Sequence, residues 1–378
     1  ATLVATYPLL DGSSSGVSYD WAQALAQRRA AVWIANSGFG YGSVGDVALS
    51  ERLMALYAKY LLDPTSTNAG DALVNAKQDY FSTQGVYGSY DEKALQQVVF
   101  YGIPMFRMGS GSAPTVSASA SLAAAFAAAP ESSGGLTPEA GTGGLPASAP
   151  IATTPFVLTP RVTHGRTTYT VDGETLVVNG YPVQPKTSFD VTSTVPGLTA
   201  RGAAIETMDT TVVSGVLPQM ARATSDRASS ERAQQPATVV FPTTFQTVGG
   251  TARHQRLVVY PGQFSDLDPT LGADTGDQLL INEASFTVYY TDPTTSGDVT
   301  RPYIQESTAS VGDLGGIPGV VLFRVEASDP SGVADTRPAT DVQRVLVQYD
   351  EDLGPWRAVE LQQDTSGTWV GAVVVALE

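Results

Sequence analysis

The stretch Ala31 to Met54, AVWIANSGFGYGSVGDVALSERLM, decides how the rest of the chain is read. Ala31 to Ala35 is a short apolar run rich in β-formers, which predicts a buried strand. Asn36, Ser37, Gly38, Phe39, Gly40 and Tyr41 follow as a glycine-rich loop. Glycine permits positive φ there and lets other groups approach the backbone closely. Asp46 reads as a helix N-cap, and Val47 to Leu62 as an amphipathic helix. Its core face would carry Val47, Leu49, Leu53, Leu56, Tyr57 and Tyr60. Strand, glycine loop and helix in succession indicate an α/β domain, whose ligands sit beyond the carboxyl ends of strands. The loop is no phosphate loop: no Lys-Ser/Thr follows the glycines, and GFGYG is not GxGxxG. A strand-to-helix turn in any α/β domain would look much the same.

The α/β character extends over residues 1–108. Ala1 to Thr6 is a candidate strand, and Asp20 caps a helix from Trp21 to Arg29. Asn68 to Phe81 forms the next helix, with Ala72, Leu73, Ala76 and Tyr80 on one face. Asp91 and Glu92 open another, which would carry Leu95, Val98, Val99 and Phe100 into the core.

Four blocks in this order, AVWIANSGFGYG, ALSERLMALYAKYL, DALVNAKQDYF and YGSYDEKALQQVVFYGIPMFRM, resemble the end of the catalytic domain in gingipain-type cysteine peptidases. More closely, they are similar to the large secreted bacterial relatives of gingipain, whose fold is caspase-like. The resemblance covers about residues 18–108 and continues more loosely downstream. It implies a substrate cleft lined by Asn36, Ser37, Gly38, Phe39, Gly40 and Tyr41. It also implies a Cys thiolate that attacks the peptide carbonyl and a His that manages the proton, both upstream of the matching block. The chain holds no cysteine, and its two histidines, His164 and His254, lie after the match. Either the strand Ala1 to Thr6 has Thr6 or Tyr7 near the place of the Cys, or the dyad belongs to a segment that precedes Ala1. As given, the chain names no catalytic residue and cannot run thiol chemistry alone.

Residues 109–150 are rich in Ala, Ser, Gly and Pro and read as a linker or exposed loop. Residues 151–298 read as a β-sandwich. Thr167 to Val171 and Thr175 to Val178 flank Asp172-Gly173, a hairpin signal. Further strands are expected at Ala203 to Thr207, Val212 to Leu217, Ala237 to Phe241, Gln255 to Val259, Leu279 to Ile281 and Ser285 to Tyr290. Residues 299–378 predict a smaller immunoglobulin-like sandwich around Trp356 and Trp369. The expected fold class is therefore multidomain: a partial caspase-like α/β domain followed by two all-β sandwiches.

With 378 residues the chain is long enough for two or three domains with cores. A net charge of -16, from 37 acidic and 21 basic residues, argues against nucleic acid as a partner. No apolar run reaches the roughly 18 residues of a membrane span. No leader of basic then apolar residues is visible, a pattern that a processed chain shares. Few charges and abundant Ser, Thr, Gly and Ala suit an extracellular or cell-surface protein. Three functions are consistent with these features: an extracellular scaffold, assembly or adhesion component without a dyad of its own; the processed carboxyl-terminal part of a cysteine endopeptidase; or a glycan- or surface-binding module. The resemblance adds a protein partner, a preceding segment or chain of the same precursor.

Asp266, Asp268, Asp274 and Asp277 lie in FSDLDPTLGADTGD. Four carboxylates in a glycine-containing loop offer oxygen ligands for calcium, although no Glu closes the loop as in an EF-hand. The plainer reading is a solvated acidic loop. His164 and His254 have no partner at metal-ligand spacing. Thermal unfolding in calcium, magnesium and chelator at fixed ionic strength separates the two readings of the acidic loop. Equal curves are expected from the solvated loop. A calcium-specific rise that disappears in Asp268→Asn would establish a metal site.

Overall fold

The computed structural model describes residues 25–38, 40–43, 47–63, 68–107, 135–141, 146–172, 174–178, 180–221, 235–246, 253–265, 275–291, 303–312, 319–328, 342, 344–351 and 353–374. Its amino-terminal part contains β1 (Val32–Asn36), α1 (Leu49–Leu62), α2 (Ala69–Gln84), α3 (Ser89–Gln97) and β2 (Val98–Gly102). β1 and β2 pair antiparallel, from Val32 opposite Gly102 to Asn36 opposite Val98.

The helices follow the apolar period. Leu53 and Leu56 of α1, Leu73, Ala76 and Tyr80 of α2, and Val98 form one buried cluster, against which Ile34 and Phe100 pack. α2 starts where a cap residue allows: the Asn68 side chain accepts from Asp71 N at 2.8 Å. α1 starts later than its pattern suggests, at Leu49 behind Ala48, which has no capping side chain. The expected cap, Asp46, lies outside the described residues. Val98 to Phe100 leave the helix expected to carry them and form β2 instead. A run of β-branched and aromatic residues gains more by pairing with β1 than by extending a helix. Gly102 closes this pairing at φ +115°, with the Ala31 carbonyl where a side chain would stand.

Eleven strands follow: β3 (Ala147–Pro155), β4 (Thr159–Thr163), β5 (Arg166–Thr170), β6 (Thr175–Leu176), β7 (Gln184–Pro185), β8 (Thr187–Asp190), β9 (Thr199–Val216), β10 (Val240–Gln246), β11 (Arg253–Val259), β12 (Gly262–Ser265) and β13 (Gly276–Thr291). β13 is the axis of one sheet, with β9 along one edge and β12 and β3 on the other. β10, β11 and β8 form a second sheet. Ile281, Phe286, Val288 and Tyr290 of β13 share a core with Leu257 and Val259 of β11, so the two sheets pack face to face. The four short strands expected at 203–217 and 279–290 are two long ones. Asp209, Gly215 and Asn282 fall inside them, and bulges absorb the irregular stretches. The Asp172 turn forms, with Glu174 N donating to Val171 O at 2.9 Å, but its arms diverge. β5 pairs with β4, and β6 with β7. β3 begins at Ala147, inside the segment read as a linker, because β13 offers it a free ladder.

β14 (Tyr303–Gly312), β15 (Val320–Ser328), β16 (Val345–Tyr349), β17 (Arg357–Gln363) and β18 (Trp369–Val374) form one five-stranded sheet in the order β14-β15-β18-β17-β16. Among the described residues this is a single sheet where a second sandwich was expected. Trp369 packs in its core with Val325 and Leu361. Trp356 belongs instead to the core of the preceding sheets, where its indole donates to Gln263 Oε1 at 2.6 Å. A buried indole N–H gains from an acceptor, and Gln263 provides one there, whereas the buried Trp369 N–H has none.

Gly85 ends α2 at φ +64°, and a Cβ on it would collide with the Tyr260 hydroxyl. That hydroxyl donates to Gln84 O and accepts from Val86 N, so it holds the helix end. Gly85→Ala is expected to destabilise the chain by about 1–3 kcal/mol, from positive φ and the collision together. Urea unfolding checks this: the midpoint should fall without a change in slope.

Candidate functional site

The glycine loop is clamped at both ends. Asn36 is the last residue of β1, opposite Val98. Ser37 N donates to Gln97 O at 2.7 Å. Tyr41 N donates to Ser50 Oγ at 3.1 Å, and Ser50 N returns to Tyr41 O at 3.0 Å. A Cβ on Gly40 would lie 2.8 Å from Asn36 Nδ2, so the Asn36 side chain would have to move to admit one. Ser37, Gly38 and Gly40 are exposed, and Tyr41 is half-buried. Its ring rests 5.1 Å from that of Tyr90, with the Lys93 ammonium 5.6 Å from the Tyr41 centroid. Phe39 lies outside the described residues. The structure thus brings Asn36, Ser37, Gly38, Gly40 and Tyr41 together in one surface loop between α1 and α3.

Behind this loop runs a polar seam that joins the helices to the β sheets. Asp79 of α2 is 1% exposed and paired with Arg256 of β11. The Tyr60 hydroxyl donates to its other oxygen at 2.9 Å, and Lys59 stands 3.8 Å away. Burial alone would raise the Asp79 pKa, but Arg256, Lys59 and these hydrogen bonds outweigh it and hold the carboxyl below its ordinary range. Arg52 of α1 pairs with Glu174, just after the Asp172 turn, at 2.6 Å. Tyr80 donates to Asp91 at 2.6 Å, and Gly88 N donates to the other Asp91 oxygen at 2.8 Å. Burial raises the Asp91 pKa against these bonds. Lys186, between β7 and β8, donates to Gln84 Oε1 at 3.1 Å, and burial lowers its pKa. Burial also raises the pKa of Tyr80 and Tyr260, so both phenols remain protonated donors.

The sequence reading passed over every one of these residues as site candidates. Their partners lie as many as 177 positions away, and no local spacing signals them. Lys186 sits in a Gln-Pro-Lys-Thr stretch that reads as an ordinary strand edge.

Of the four candidate calcium ligands, Asp277 is placed in β13 opposite Ser265. Asp266, Asp268 and Asp274 lie outside the described residues. Among the described residues no three His, Cys, Asp or Glu side chains are grouped to hold a metal ion. His164 occupies the β4–β5 turn at φ +52°, and His254 lies within β11. No helix among the described residues is long and apolar enough to cross a membrane.

No family model matches the chain, and no curated protein matches it. Among solved structures it is similar to the complex of pro- and mature domains of RgpB from Porphyromonas gingivalis, at 14% identity, 41% of this chain, 84% of that chain and a TM-score of 0.28. It is also similar to a structure of gingipain K from Porphyromonas gingivalis that addresses zymogenic latency, at 14% identity, 39% of this chain, 87% of that chain and a TM-score of 0.28. The likeness to gingipain chains is loose and gives no residue here a role.

A carboxylate whose pKa is lower folded than unfolded stabilises the fold above the unfolded value, and that stabilisation is lost as pH falls through the folded one. Asp79 therefore contributes fully above its ordinary 3.8 and progressively less below it. Asp79→Ala is expected to cost about 3–5 kcal/mol at neutral pH, because Arg256 loses its buried carboxylate. Denaturant titrations from pH 7 to pH 3 should show the gap between wild type and variant narrowing in the acid range.

Proposed function

We propose that this chain is a gingipain-like extracellular scaffold or assembly component that performs no thiol chemistry of its own. The observation that carries this reading is the seam. Residues that hold the family resemblance are keyed into the β sheets by buried ion pairs and the Tyr260 hydroxyl. Helices and sheets then act as one body, which displays the loop Asn36 to Tyr41 at a fixed place on its surface. A chain with no cysteine can use such a loop to contact a protein, but not to attack a peptide bond by thiolate. On this reading residues 1–108 correspond to the carboxyl-terminal portion of a caspase-like unit. Residues 151–298 and 299–378 are the β units that carry it, and an extracellular or cell-surface location goes with it. Calcium at Asp266, Asp268, Asp274 and Asp277 would be a structural accessory.

A second reading is favoured by one specific observation. Among the described residues β1 and β2 form a sheet of only two strands, whose Ile34 and Phe100 face the helices. Trp33 and Tyr101 are opposite one another on the other face, and Tyr101 is exposed. Two-stranded sheets are marginal without further cover. A preceding segment of the same precursor, bearing the Cys and His, would supply it.

Incubation of the pure chain with a peptide library, with and without a thiol alkylating agent, is expected to give no cleavage in either case. Cleavage by the pure chain would overturn the scaffold reading. Alkylation-sensitive cleavage that appears only when the chain is produced together with the coding sequence upstream of Ala1 would select the processed-peptidase reading instead.

A further inference from the structure

At the start of α1 a small cavity opens in the polar seam, lined by Ala48, Leu49, Arg52, Glu174, Thr175 and Lys186. Two independent features of its wall lack a partner of negative charge. Lys186 is 4% exposed, and its ammonium donates to a neutral amide oxygen, Gln84 Oε1. Among the described residues it forms no ion pair. Thr175 is 6% exposed, and its hydroxyl is buried with no hydrogen-bond partner. α1 enters the cavity with Ala48 at its N-cap and no capping side chain, while Glu51 in its first turn already faces the positive end of the helix dipole. Buried charges in folded proteins are paired, and a buried hydroxyl without a partner is costly.

The carboxylates on the wall do not fill this role. Glu174 is held by Arg52 at 2.6 Å. Both Asp91 oxygens are taken, by Tyr80 and by the Gly88 amide. Glu174 and Asp91 still act on Lys186 at longer range, and Arg52 and Arg256 oppose them.

We propose that this cavity is a binding site for one small monovalent anion of halide size, held by the Lys186 ammonium and the Thr175 hydroxyl. The anion supplies the counter-charge that the fold leaves out, and it stabilises the joint between the helices and the β sheets. Burial lowers the Lys186 pKa, so anion and proton bind together and each favours the other. The site is separate from the loop Asn36 to Tyr41 and does not depend on the scaffold reading.

The test is thermal unfolding of the full chain in sodium chloride against sodium gluconate at equal ionic strength, on wild type, Thr175→Val and Lys186→Met. Chloride is expected to raise Tm saturably, by roughly 2–3 °C at tenfold excess over Kd. The rise should shrink in Thr175→Val, vanish in Lys186→Met and fade as pH is raised towards the Lys186 titration. Crystals of wild type soaked in bromide should give an anomalous peak beside Lys186 Nζ. If Lys186→Met does not fold, the Thr175→Val series and the bromide peak decide. Equal melting in both salts with no bromide peak, the result for a cavity that holds water only, would overturn the proposal.

Discussion

Asp79 is a carboxylate almost without solvent, and it stays charged chiefly because Arg256 reaches it from β11, with Lys59 and the Tyr60 hydroxyl in support. Neither partner can be buried alone at tolerable cost. The pairing fixes where α2 lies on β11, and the contacts around it follow. The Tyr260 hydroxyl meets the end of α2 at Gln84, and Thr243 donates to Ser82 O. Lys186 reaches Gln84 from below, and Arg52 reaches Glu174 one helix away. The helices are therefore positioned by polar contacts of fixed geometry, while their own apolar cluster faces β1 and β2.

This arrangement bears on the surface loop. Its ends are tied to α1 and α3, and those helices are tied to the β sheets, so the loop inherits its position from strands far away in the chain. A second apolar cluster reinforces the link: Ala48, Leu49, Tyr90 and Ala94 pack with Val177, Val183 and Ala221. The cores also disregard the boundaries suggested by composition. Trp356 fills the core of the sheets before it, and Gln348 donates to Ala203 O of β9 at 2.9 Å.

The helix faces were legible because a period of 3.6 residues is a local property. Leu53, Leu56, Ala72, Leu73, Ala76 and Tyr80 are buried as their spacing requires. Val98 to Phe100 were misread because a short apolar run has no period, and its partner strand lies some 60 residues upstream. The breaks expected within β9 and β13 do not form: Asp209 and Asn282 bond to each other on the exposed face, and the ladder passes them through a bulge. Trp356 was read as a neighbour of Trp369, whereas only the tertiary fold shows that Gln263 is the acceptor its indole needs. The loop Asn36 to Tyr41 was located by its glycines. The seam behind it was not, because charge pairing over such separations leaves no trace in spacing, and Lys186, Asp91 and Glu174 look like any surface residues.

The seam also imposes an order on synthesis. Asp79 leaves the ribosome 177 residues ahead of Arg256. At usual elongation rates that is roughly 10–35 s. For that interval Asp79 has no Arg256 to pair with, and its charge is carried in water. The helices become fixed only when β11 arrives, so the amino-terminal third of this chain is finished by residues made after it.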